Sequence, residues 1–157
     1  MGLVAAWKYR GCRGLASPLA ELADAGWDSA VAAGGEVAVL VPIPLHPRRR
    51  RERGFNQAAL LAGLLAARRD LPVLDDLLLR SRATGQQAKL SSRSTDRDRN
   101  VAGAFGLARR DSARDLRVGL VDDLVTSGAT ALAAAACLRG AGVRVGWVLA
   151  AGLARRA

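Results

Sequence analysis

Residues 117–130 constrain this chain more than any other stretch: Arg-Val-Gly-Leu-Val-Asp-Asp-Leu-Val-Thr-Ser-Gly-Ala-Thr, followed by a nearly all-alanine run to Leu138. Val118 to Val121 is short, apolar, rich in β-branched residues and bounded by charge, the pattern of a strand buried within a sheet. Asp122 and Asp123 stand where that strand ends. Thr126, Ser127, Gly128, Ala129 and Thr130 then supply hydroxyls, small side chains and a permissive glycine where the alanine-rich helix begins. Free backbone N–H groups and the positive end of a helix dipole make such a turn an anion cradle.

The carboxylates cannot hold a phosphate themselves. They accept hydrogen bonds from sugar hydroxyls or orient the waters of a Mg²⁺ ion. A carboxylate pair beside a phosphate cradle therefore points to a phosphorylated sugar whose remaining phosphates are carried by Mg²⁺.

The run Val121-Asp122-Asp123-Leu124-Val125-Thr126-Ser127-Gly128-Ala129-Thr130 resembles the phosphoribosyl pyrophosphate (PRPP) motif of type I phosphoribosyltransferases. Three further blocks are similar to the ComF/GntX branch of that superfamily: Val41-Pro42-Ile43-Pro44-Leu45-His46-Pro47-Arg48-Arg49, Glu52-Arg53-Gly54-Phe55-Asn56-Gln57-Ala58 and Asn100-Val101-Ala102-Gly103-Ala104-Phe105. The four blocks stand in family order and span almost the whole chain. The resemblance implies an α/β fold with a parallel sheet flanked by helices, PRPP as ligand, Mg²⁺ carried with it, and transfer of the ribosyl 5-phosphate group to a nitrogenous acceptor with release of pyrophosphate. It casts Asp122 and Asp123 as the catalytic pair and Thr126 to Thr130 as the 5-phosphate loop. Leu45, His46, Arg48 and Arg49 become the pyrophosphate loop, and Arg82 and Lys89 part of a lid over residues 80–100. No residue is assigned as a direct metal ligand. Some purine transferases place an acidic base at the position of Thr126, which cannot play that part at neutral pH, so a purine handled through that base is disfavoured. The same resemblance supports a second reading, a PRPP-sensing or DNA-uptake accessory protein without turnover. A receiver-like domain also sets two aspartates after a strand, but near the start of its chain.

At 157 residues, half of them apolar, the chain suits one domain with a core built from alanine, leucine and valine. Its net charge of +10 would attract polyanions, whether nucleic acid, a membrane surface or a polyphosphate. Nearly all of that charge is arginine, with Lys8 and Lys89 the only lysines, a bias that a GC-rich coding sequence also produces. Expected partners are PRPP, an acceptor base of unspecified identity, a second copy in a homodimer, and DNA or the competence machinery, with no membrane. Cys12 and Cys137 lack the spacing of a metal or disulfide framework, and the four-cysteine zinc ribbon carried by many ComF relatives is not in the sequence. No apolar run reaches about 18 residues. These features predict a cytoplasmic protein.

Along the chain, residues 1–33 read as an N-terminal helical segment, with two short helices in Leu3–Ala25, Pro18 in the first turn of the second, and apolar positions at Leu15, Leu19 and Leu22. Gly34-Gly35 reads as a turn and Val37–Val41 as a strand. Pro42, Pro44 and Pro47 predict a rigid loop leaving the sheet, with His46 either a structural hydrogen-bonding residue or a phosphate contact. The arginines from Arg48 to Arg53 read as a solvated basic cluster that offers one or two phosphate clamps. Phe55–Arg69 is an amphipathic helix with Leu60, Leu61, Leu64 and Leu65 on one stripe, and Asn56 and Gln57 cap it or face the substrate. Pro72–Leu79 and Val101–Leu107 are strand candidates, Arg109–Asp115 a charged hairpin or loop, Ala129–Arg139 a helix ended by glycines, Val143–Ala150 the last strand and Ala154–Ala157 a basic tail.

Overall fold

The computed structural model describes residues 13–80, 103–108 and 113–153. The expectations at Cys12, at residues 81–100 with Arg82 and Lys89, in most of the 109–115 loop and in the basic tail lie outside them. A single helical turn (Arg13–Leu15) leads into α1 (Ala16–Asp24) and α2 (Trp27–Gly34). Then come β1 (Val39–Pro42), α3 (Pro47–Arg53), α4 (Gln57–Arg69), β2 (Leu78–Arg80), β3 (Phe105–Leu107), β4 (Arg117–Asp122), α5 (Ala129–Arg139) and β5 (Arg144–Ala150).

Strands β1, β4 and β5 form a parallel sheet in that order, β4 in the middle. On the far side of β1 the segment 72–74 adds a parallel bridge: Leu40 N–H donates to Pro72 O at 3.0 Å and Leu74 N–H to Leu40 O at 2.9 Å. The chain therefore leaves β1 in one direction, through α4 to residues 72–74, and leaves β4 in the other, through α5 to β5. Because parallel crossovers are right-handed, opposite directions of travel put the two helices on opposite faces. The core bears this out. Leu40, Val121, Trp147 and Leu149 point to one face, buried with Leu19, Trp27, Leu61 and Leu65 of α1, α2 and α4. Their strand neighbours Val39, Val41, Val118 and Leu120 point to the other, buried with Ala131, Ala134, Ala135 and Leu138 of α5. This is the α/β class, a parallel sheet flanked by helices, that the sequence predicts.

Three local features depart from the sequence reading. The ladder does not stop at Pro42, since Ile43 N–H still donates to Val121 O at 2.8 Å. Pro42 shares the parity of Leu40, whose N–H points away from β4, so the missing donor costs no β1–β4 bond. Helix α2 falls within the helical segment read over residues 1–33, as a separate helix beyond the two expected in Leu3–Ala25. It is held by Trp27, packed edge-on to Trp147 with ring centroids 4.9 Å apart, and by the Trp147 indole N–H donating to Gly35 O at 3.2 Å. The third departure is β2 and β3, an antiparallel pair beside the parallel sheet, which covers the α5 face with Leu78 and Phe105.

Of the apolar positions read in the N-terminal segment, Leu19 is buried whereas Leu22 is 58% exposed. Pro18 does lie in the first turn of α1. The β4–β5 register shifts past Gly146, which sets Trp147 against Gly119. A Cβ on Gly119 would fall on the Trp147 ring, so the glycine is required by close packing rather than by backbone conformation. No helix among the described residues is long and apolar enough to cross a membrane.

Candidate functional site

In an open parallel sheet, the strand ends splay apart where successive connections run in opposite directions, and a crevice forms beyond the carboxyl ends of the two strands concerned. Here those strands are β1 and β4. The crevice is a cleft of about 170 Å³ bounded by Ile43, Pro44 and Leu45 after β1, Asp122, Asp123 and Leu124 after β4, Arg49 and Arg53 of α3, Asn56 and Ala58 at the start of α4, Arg80 of β2, and Thr126 and Thr130 of the small polar turn.

The two carboxylates are inequivalent. Asp122 is half-buried and accepts the Asp123 backbone N–H at 2.8 Å, a bond that fixes the turn leaving β4. Asp123 is buried, its Oδ2 3.8 Å from Arg53 Nη1, with the two side chains 10% and 15% exposed. The same Arg53 nitrogen donates to Gln57 Oε1 at 3.3 Å. Gln57 is almost fully buried, and its Nε2 has no partner among the described residues. A row Gln57–Arg53–Asp123 thus runs under the floor of the cleft and joins α4 to the end of β4.

Asn56 braces the wall. Its Oδ1 accepts Ala58 N–H at 3.1 Å, capping α4, while its Nδ2 donates to Ile43 O at 3.2 Å, tying that cap to the loop after β1. Arg80 closes the third side, with Nη1 reaching Pro44 O at 3.5 Å and the guanidinium 5.3 Å from the Phe105 ring centroid. Burial pushes the Arg80 guanidinium below its ordinary pKa; Arg49 adds to the push and Asp122 opposes it. Three guanidiniums against two carboxylates leave the described lining of the cleft net positive.

The turn behind the acidic pair leads directly into α5. Gly128 precedes α5 with φ +77°, in the left-handed region that favours glycine, and Ser127 Oγ accepts Ala129 N–H at 3.5 Å. Val125 N–H donates to Gly152 O at 3.0 Å, pinning the loop to the chain beyond β5. Thr126 and Thr130 line the cleft, and Ser127, Gly128 and Ala129 form the turn between them.

Among the residues read as a pyrophosphate loop, Leu45 and Arg49 line the cleft; His46 and Arg48 do not. His46 is the N-cap of α3, its Nδ1 accepting Arg48 N–H at 3.3 Å, with Pro47 at the first helical position. Arg48 pairs with Glu52 at 3.0 Å on the exposed face of that helix. The loop predicted after the prolines therefore turns into a helix, and the helix selects which arginines face inward. Arg53 and Arg80 stand in the cleft: Arg53 is one of the clustered arginines read as offering one or two clamps, whereas Arg80 is not among the sequence candidates. Arg53 belongs to the Glu52–Ala58 block quoted above, and that block was the signal available for it. Arg80 marks the edge of the polar stretch, and nothing local distinguishes it.

A parallel sheet flanked by helices, with an acidic pair, arginines and a left-handed glycine turn at its switch point, defines a protein of the α/β class. No protein-family model matches the chain. It is 38% identical over 105 residues to competence protein F of Haemophilus influenzae, covering 66% of this chain and 45% of that protein. To competence protein ComFC of Bacillus subtilis it is 39% identical over 100 residues, covering 64% and 38%. Over the matched stretch the sequence is similar to these competence proteins, and the chain spans less than half their length. Among solved structures, an adenine phosphoribosyltransferase from Leishmania donovani aligns with a TM-score of 0.48 at 16% identity, over 83% of this chain and 50% of that one.

Proposed function

We propose that the cleft binds Mg²⁺–PRPP and that the protein transfers the ribosyl 5-phosphate group from it to a nitrogenous acceptor. The observation that carries this reading is the placement of Asp122 and Asp123, at the end of β4, between the glycine turn of α5 on one side and Arg49, Arg53 and Arg80 on the other. The turn offers N–H groups to a 5-phosphate, the acidic pair suits the ribose hydroxyls, and the guanidiniums suit the pyrophosphate.

The donor set also fits Mg²⁺. Among the described residues no cluster of three or more His, Cys, Asp or Glu is arranged to hold a metal, and Mg²⁺ is commonly held by one or two carboxylates with substrate phosphates and waters completing its shell. Asp122 is the accessible oxygen donor for that role, and the ion would neutralise charge on the departing pyrophosphate. In the transfer, the acceptor nitrogen's lone pair forms the bond to the anomeric carbon while the bond from that carbon to pyrophosphate oxygen breaks. The electron pair leaves on pyrophosphate, and the acceptor's N–H proton passes to solvent. Positive charge builds on the sugar, so the contribution of the protein is to hold the leaving group and keep carboxylate oxygen near the ribose.

The names of the relatives favour a second reading. Both are called competence proteins, which suits a PRPP-responsive accessory of DNA uptake without turnover. Release of pyrophosphate from PRPP separates the two: a transferase releases it only when a suitable base is present. Saturable Mg²⁺–PRPP binding without release across the common purine and pyrimidine bases, together with an affinity that changes when DNA is added, would establish the accessory role instead.

A further inference from the structure

The cleft lies at the carboxyl ends of the strands, and the amino ends carry a second concentration of charge that the proposed transfer does not use. Arg117 and Arg144, the first residues of β4 and β5, are register partners, about 4.8 Å apart at the backbone as neighbouring strands are. They alternate with Val118 and Val145, which pack toward α5, so both side chains leave the sheet on its other face. Both arginines are exposed, as is Arg114 in the turn before β4. The carboxylates on the neighbouring segments are Glu36, next to Gly35, and Asp115. Among the described residues, neither makes an ion pair with Arg117 or Arg144. Arg144 is held by a neutral group instead, its Nε and Nη2 both donating to Asp115 O, at 3.1 and 2.7 Å. That carbonyl is fixed in turn, because Asp115, at φ +63°, donates its N–H to Gly142 O at 3.0 Å, and Arg144 N–H donates to Leu116 O at 2.8 Å. Arg117 lies against the turn after α2, where a Cβ on Gly35 would stand 2.7 Å from its Nη1.

We propose that the Arg117–Arg144 pair is a second anion site, at the opposite end of β4 from the cleft, and that its ligand is a compact oligophosphate: pyrophosphate, tripolyphosphate or the phosphate chain of a free nucleotide. Two like charges a strand spacing apart repel one another, and an anion between them reverses the sign of that term. The two guanidiniums still have donors to offer. Each has five N–H groups; Arg144 spends one from Nε and one from Nη2 on Asp115 O, and the Arg117 guanidinium spends none within the described residues. Guanidiniums set side by side fit neighbouring phosphates of one molecule, each able to take a pair of oxygens. Arg114, whose side chain runs beside Gly142, adds positive field at the same end of the sheet. None of this depends on what the first cleft binds.

The test is an amide-shift NMR titration of the whole, isotope-labelled chain with tripolyphosphate, without Mg²⁺ and at about physiological salt, where diffuse attraction is screened. It reads the two ends of β4 separately. Saturating shifts are expected at Asp115, Gly142 and Arg144, distinct from any at Ser127 to Thr130. Arg117→Gln weakens the response at the amino end about tenfold or more, the size of one charge-assisted contact, and leaves the response of the cleft amides as in the unmodified protein. Arg144→Lys keeps the charge but gives up the fork on Asp115 O, and weakens tripolyphosphate several-fold. Because Arg144 also ties two turns together, Arg117→Gln carries the test should Arg144→Lys lose stability. Shifts that never saturate, a response confined to the cleft, or full affinity in Arg117→Gln would overturn the inference. Full affinity in a folded Arg144→Lys would reduce the site to diffuse charge, which also overturns it. So would a stronger response of these amides to a single-stranded oligonucleotide than to tripolyphosphate, the mark of a nucleic-acid surface.

Discussion

Replacing Gly128 separates the backbone of the phosphate turn from its side chains. The residue sits at φ +77°, and a Cβ built there meets no atom of the described residues within 4 Å. The cost of Gly128→Ala is therefore conformational alone, about 1–2 kcal/mol for an L-residue held in the left-handed region. In a chain of 157 residues that converts to a fall in melting temperature of about 2–8 °C. Gly128→Val costs more, because a β-branched side chain narrows the same backbone further. The alternative open to either variant is to leave the left-handed conformation. That spares the melting temperature but turns the N–H groups at the start of α5 away from their common point, and phosphate binding is lost. Ser127→Ala removes only an exposed 3.5 Å contact to Ala129 N–H and changes either quantity by a few tenths of a kcal/mol at most. Differential scanning calorimetry paired with ribose 5-phosphate titration reads both channels. If Gly128→Val keeps both its melting temperature and its ribose 5-phosphate affinity, the turn is not the cradle.

Gly119→Ala tests packing without touching the cleft: its Cβ would fall on the Trp147 ring, so urea unfolding should show a loss of about 1–3 kcal/mol or more, and an unchanged midpoint would refute the close approach. Arg53→Met leaves Asp123 buried without its guanidinium neighbour; at 3.8 Å the pair is long, so the expected loss is about 1–3 kcal/mol, below the usual penalty for breaking a buried pair. Arg53→Lys should restore part of it, and equal stability of all three proteins in urea melts would show that the row under the cleft carries no weight.

What the sequence makes legible follows from how local each cause is. Strand β4, the glycine turn and α5 are set by residues next to one another: a β-branched run stopped by two carboxylates, then a permissive glycine, then alanines. Helix α4 announces itself through Leu61 and Leu65, both buried, with Asn56 at its cap. Helix α3 does not, because a seven-residue helix made almost wholly of charge has no apolar stripe. His46 at its cap, Pro47 at its first position and Gly54 in the left-handed conformation after it are the marks it does carry. Helix α2 belongs to the helical segment read over residues 1–33, but what anchors it, Trp27 against Trp147, is a contact no local pattern encodes. The cleft divides along the same line. Asp122, Asp123, Thr126 and Thr130 are readable from one motif, whereas Arg53 against Asp123 and Arg80 against Pro44 are meetings of distant segments. Without the helix that orients the arginine cluster, a clamp and a solvated charge look alike, and Arg48 reads the same as Arg49.

Isothermal titration of Mg²⁺–PRPP into the unmodified protein and into Asp122→Asn tests the central claim most directly. Asp122 is the half-buried carboxylate of the pair, and its replacement leaves the Arg53–Asp123 contact in place. The account predicts saturable, Mg²⁺-dependent binding to the unmodified protein and a loss of about tenfold or more in the variant, the size of one charge-assisted interaction, with its melting temperature unchanged. Absence of saturable binding, or equal affinity in the two proteins, would contradict it.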